Sequence, residues 1–224
     1  MTRARHVLGT AIRIIAIFFS LGIALYALSF LVARERMFPP PLANSFHARP
    51  WSIYPHALFG SIALVLGSVQ FWRNLPYGHP TLHRTLGKIY VVVVIGTGTA
   101  GLYMSFFSYG GAVTHAGFGL LALSVLTTTA IAYVQIRRRN VAVHREWMLR
   151  SFALIFAAVT LRIELPLLII VFHDFAPAYA IVSWLCWIPN LVLAEVYVRK
   201  SRAANSTPLA ARPRSPEIVH DFIA

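Results

Sequence analysis

HAGFGLLALSVLTTTAIAYV, residues 115–134, opens on a histidine, continues without a charged side chain, and stops just short of Arg137-Arg138-Arg139. A helix needs about 20 mainly apolar residues to cross the hydrocarbon core of a bilayer, and this stretch meets that length with a basic anchor at one end. Comparable runs lie at roughly 10–33, 55–72, 87–107, 150–172 and 177–198, and the quoted stretch extends to about 114–136. With 58% hydrophobic and 12% charged residues among 224, little is left over for a water-soluble domain. The expected fold is therefore all-α, an integral membrane protein of six transmembrane helices over residues 1–200. Residues 201–224, rich in Ala, Pro, Ser and Arg, read as a disordered basic cytoplasmic tail. The first run is expected to be a retained anchor, because Ala33-Arg34-Glu35-Arg36 offers no small-x-small cleavage site.

A net charge of +13 would point to nucleic acid in a soluble protein, but here its placement follows topology. Basic residues gather at Arg3, Arg5 and Arg13, at Arg73, Arg84 and Lys88, at Arg137–Arg150, and from Arg199 to Arg214. The loops YGGAVT (109–114) and HDFAPA (173–178) carry none. The positive-inside rule then puts both termini in the cytoplasm of a bacterial inner membrane, with the first loop (Arg34, Arg36, Arg49) dissenting. No nucleic-acid partner is expected. The single cysteine, Cys186, excludes disulfides, thiolate clusters and covalent haem attachment, so any haem depends on histidine or methionine.

HALFGSIA from His56 and HAGFGLLA from His115 agree at His, Ala, Phe, Gly and the final Ala. His83-Arg84 and His144-Arg145 follow each at similar intervals. The repeat unit is a pair of helices, about 55–107 repeated as 114–172, and its four helices form the expected core. Within it, His56 and His115 share one depth near the outer face, and His83 and His144 share another near the cytoplasmic face. Small residues accompany them on the same helical faces, among them Gly60, Gly119 and Gly87. Such faces leave space for a bulky group against the backbone.

Arg162 lies 18 residues beyond His144 on the same stripe, about 27 Å along the helix, level with the outer histidines. An arginine inside a span costs roughly 2.5–3.5 kcal/mol on insertion scales and so calls for an interior anion. Candidates are a haem propionate, Glu164 or Glu195. Pro166 and Pro189 are expected to kink the last two spans, with Asn190 meeting a freed backbone group. His173-Asp174 reads as a helix cap, with proton relay as the alternative. No P-loop, GxSxG, HExxH or paired carboxylates appear, so no catalytic residue is assigned.

Two histidine pairs at two depths resemble the layout of transmembrane di-haem b-type cytochromes. That resemblance implies two haems b, one between His56 and His115 and one between His83 and His144. Arg162, Arg84 and Arg145 would then be propionate partners, and Tyr90 and Thr97 would line the cavity. Bis-histidine ligation leaves no open iron position, which implies electron transfer between membrane faces, with a quinone or ferric species as the redox partner. The motifs LHRTLGKIY (82–90), HREWMLRSFAL (144–154) and Thr160-Leu161-Arg162 resemble those of an uncharacterised bacterial family of predicted membrane proteins, domain of unknown function 2306. Two other readings stay open. One is a haem-free transporter or proton-coupled carrier with a path past Arg162 and Gln70; the other is a homodimer or membrane-complex subunit joined through small-residue faces.

Overall fold

A computed structural model describes residues 2–33, 40–70 and 78–206; among them it contains nine α-helices and no strand. In chain order these are α1 (Thr2–Ala33), α2 (Pro40–Ala48), α3 (Pro50–Gln70), α4 (Pro80–Ser105) and α5 (Ala112–Arg137). They are followed by α6 (Val141–Ile155), α7 (Ala157–Phe172), α8 (Phe175–Leu185) and α9 (Ile188–Ser206). Six segments are long and apolar enough to span a membrane: Gly9–Ser29, Pro50–Gln70, Pro80–Ser105, Ala112–Arg137, Val141–Phe172 and Phe175–Ala203. The protein is thus an all-helical membrane protein, with α6–α7 and α8–α9 each making one interrupted span.

Several helices start earlier than the apolar runs indicate, for reasons of local chemistry. Pro50 and Pro80 occupy first-turn positions, where a missing N–H costs nothing and φ is already helical. His83 and His144 therefore stand inside helices, a turn beyond the starts of α4 and α6, and not in loops. Between α4 and α5 the chain reverses through Gly110 and Gly111, whose φ values of +95° and +74° a side chain would strain. His173 (φ 53°) caps the end of α7, and the Asp174 carboxylate accepts from Ala176 N to start α8. The last helix reaches Ser206, six residues into the stretch read as a tail; 207–224 lie outside the described residues.

Pro166 lies inside α7, and the same span is interrupted separately at Phe156. In the last span the break comes at Cys186-Trp187, because Pro189 cannot supply the N–H that Leu185, the final residue of α8, would have accepted. Asn190 does meet a freed group: its Nδ2 donates to the Cys186 carbonyl (3.0 Å) and to Thr160 Oγ1 (3.2 Å), and Thr160 Oγ1 donates to the same carbonyl. The two breaks are thereby fastened to each other.

Helices α3, α4, α5 and α6 close a ring, α3 against α4, α4 against α5, α5 against α6 and α6 against α3. α1 packs on α3 and α7, and α8 on α5 and α7, while α9 lies along α6. The ring's centre is filled by Leu64, Tyr90, Val94 and Leu154. Tyr90 Oη and Ser151 Oγ are 3.1 Å apart, and Ser151 Oγ and Thr129 Oγ1 2.7 Å apart, so three helices share one buried hydroxyl cluster. Gly67 has no room for a side chain because the Phe152 ring lies against it. One end of the bundle, the basic end, holds the end of α3, the starts of α4 and α6 and the ends of α5 and α9. The opposite end holds α2 and the turns at 106–111 and 173–174.

Candidate functional site

At the end opposite the basic one, a cavity of about 580 Å³ runs between α1, α2, α3, α4, α5, the end of α6, α7 and α8. That volume is in the range of small-molecule and cofactor sites. Its polar side chains include His56, Thr97, Arg162 and Arg49, with Tyr26, Tyr109 and Tyr179 around them.

His56 is fixed by reciprocal bonds across the α3–α4 contact. Thr97 Oγ1 donates to the His56 carbonyl (3.1 Å), and His56 Nδ1 lies 3.1 Å from the Thr97 carbonyl and 3.2 Å from Thr97 Oγ1. A carbonyl only accepts, so Nδ1 carries the proton and Nε2 is left with its lone pair. No hydrogen bond from the protein reaches Nε2 among the described residues. The approach depends on two glycines: a Cβ on Gly101 would come within 3.2 Å of the imidazole, and one on Gly60 within 3.2 Å of Thr97 Oγ1.

Arg162 comes into the same cavity from α7. Its Nη1 donates to the Ala158 carbonyl (2.9 Å), its Cζ stands 5.7 Å from the Tyr26 ring centroid, and its Nε is buried without a hydrogen-bond partner. Neither Glu164 nor Glu195 answers it. Glu195 pairs with Arg150 and Arg199, Glu164 Oε2 is itself buried without a partner, and no ion pair of Arg162 occurs among the described residues. At the cavity mouth Arg49 lies over the Phe107 ring (3.7 Å), and Ser45 Oγ donates to the Phe107 carbonyl (3.0 Å).

The remaining expected site residues are placed elsewhere. His115 stands one turn from Phe118, on the face of α5 that lines the cavity, but its Nε2 donates to the Ser108 carbonyl (2.9 Å) and it is not part of the lining. The structure therefore does not bring His56 and His115 onto one space; the repeat partners differ because only His115 has a turn carbonyl within reach. Gly119 backs onto Ser105 Oγ of α4, much as Gly60 backs onto Thr97. At the basic end His83 and His144 are close enough to interact electrostatically, with Arg84 and Arg145 beside His83. His144 Nδ1 donates to the Ala132 carbonyl (2.9 Å), Gln70 Nε2 donates to the His83 carbonyl (3.0 Å), and His83 Nδ1 is buried without a partner. Gly87 is in ordinary contact range of Gln70. None of these lines the cavity. Tyr90, expected in a cofactor cavity, belongs to the packed centre instead. No group of three or more metal-ligating side chains occurs among the described residues.

Sequence reading did not find α2, Arg49 or Tyr26. The signal for α2 was the run of three prolines at 39–41, which suits a helix start.

A family model described as "Predicted membrane protein (DUF2306)" matches residues 53–198. The chain belongs to this family. The DUF2306 description names a location and no activity, and the matched residues run from the start of α3 into α9, so they contain the ring, His56 and Arg162. No curated protein and no solved structure matches the chain.

Proposed function

We propose that this DUF2306 protein binds one haem b in the cavity beside His56 and serves as an electron-transfer protein of the bacterial cytoplasmic membrane. The observation that carries this is the state of His56: Nδ1 held by a backbone carbonyl, Nε2 unengaged, on a residue lining a cofactor-sized cavity. Metal-bound histidines nearly always donate their other ring N–H in this way. The acid groups of the haem find Arg162, with its unmet Nε, and Arg49 at the mouth. His115 can supply a second imidazole if its ring leaves the Ser108 carbonyl, since it is one turn above the lining. When bound, haem supplies one-electron redox chemistry. The protein's part is to fix the His56 tautomer, hold the acid groups and keep water from the apolar walls. His83 and His144 are left out of the ligand set, since the cavity does not reach them.

Arg162 and the two interrupted spans favour a second reading, a carrier for an amphipathic anion, because broken helices beside a charge buried within the bundle are how many transporters build a site. Visible spectroscopy separates the two. Full-length protein expressed with haem precursor and purified in detergent is expected to show a b-type spectrum at one haem per chain. His56→Ala removes it and His83→Ala leaves it. Folded protein without haem defeats the haem proposal and leaves the carrier.

A further inference from the structure

The second cavity, about 510 Å³, is a groove on the outside of the bundle between α5, α6 and α9. Along its length it is mainly apolar, with Leu120, Leu123, Leu191 and Val192 beside the hydroxyls of Ser124, Thr127 and Thr128, and at one end it carries Trp147, Arg150 and Glu195. Arg150 is 8% exposed. Its Nε and Nη2 both donate to Glu195 Oε2, at 3.0 and 2.7 Å, and its Cζ lies 4.6 Å from the Trp147 ring centroid. Nη1 is buried without a partner.

The charges here do not cancel. Glu195 also accepts from Arg199 Nε through Oε1 (2.8 Å), so a single carboxylate faces two guanidiniums. Glu146 offers no relief, because it is paired with Arg202. Lys200, Arg137, Arg138 and Arg139 add exposed positive charge at the same end. Arg150 lies about 14 Å along α6 from its start, and a helical side chain leans back towards the helix N-terminus, which brings the guanidinium up to the edge of the hydrocarbon layer. An apolar channel that ends in an indole, an unsatisfied N–H and net positive charge at the membrane interface matches an acyl chain with an acidic head.

We propose that this groove binds a phospholipid with a net negative headgroup, its acyl chain along Leu120, Leu123 and Leu191 and its phosphate oxygens on Arg150 Nη1. Nothing in this depends on what occupies the cavity at His56.

The test is native mass spectrometry of full-length protein released from micelles with equal amounts of phosphatidylglycerol and phosphatidylcholine. One uncompensated cation at the surface predicts about fivefold preferential retention of phosphatidylglycerol. Leu123→Trp blocks the channel without touching the ion pair and is expected to abolish the preference. Val92→Trp, at a lipid-facing position on α4, keeps it. Arg150→Met is also expected to abolish it, and Leu123→Trp keeps the test valid should that variant fail to fold. Equal retention of the two lipids, or a preference that survives Leu123→Trp, overturns the proposal. So does a dimer that occludes the groove in place of lipid.

Discussion

Arg162 is the residue whose cost is plainest. A guanidinium among apolar walls, with one bond to the Ala158 carbonyl, the Tyr26 ring nearby and no carboxylate partner among the described residues, leaves its charge uncompensated until something fills the cavity. Arg162→Met is therefore expected to stabilise the ligand-free protein, by roughly 2 kcal/mol on the scale of insertion costs. Thermal unfolding in detergent checks this, and a lower melting temperature would show that the charge is already satisfied. The presence of such a residue was legible in the sequence, since a lone arginine in an apolar run stands out, and helical rise put it at the depth of His56. Its surroundings were not legible. Tyr26 and Arg49 reach the cavity from segments with no link in sequence to the histidine repeat. Likewise, HALFG and HAGFG read as equivalents, yet one imidazole meets a threonine on the next helix and the other a turn carbonyl. Repeat spacing fixes depth and face; it does not fix which hydrogen-bond partner lies nearest.

Among the elements, the two interrupted spans were the least predictable. Periodicity shows where an apolar helix runs, and a proline shows that one N–H is missing, but whether a break follows depends on partners across the bundle. At Cys186 the carbonyl finds Asn190 and Thr160, so the interruption is tolerated; Pro166 sits inside α7 and ends no helix. Asn190→Leu removes two of these bonds and is expected to cost about 1–2 kcal/mol, read as an earlier midpoint in unfolding by sodium dodecyl sulfate. An unchanged midpoint would mean that the fastening adds nothing. Helix starts were misjudged for a related reason: capping prolines and polar first turns hide helix that hydropathy does not register.

For the whole molecule, composition alone was enough to establish a six-span membrane bundle, because bilayer thickness constrains length so tightly. The orientation expected from the positive-inside rule rests on the basic end, where Arg137, Arg138, Arg139, Arg199 and Lys200 collect. Fusions at the C-terminus are accordingly expected to yield a fluorescent protein that lights up and a periplasmic phosphatase that stays inactive; the reverse pattern would invert the bundle. The ring of four helices was legible from the repeat, but not the outer layer that α1, α8 and α9 build around it. That layer leaves the chain's only thiol, on Cys186, wholly enclosed at the fastened break. An alkylating reagent can reach it only when α8 and α9 part, so the pace of maleimide capture becomes a clock, already present in the native chain, for how often this wall of the bundle comes open.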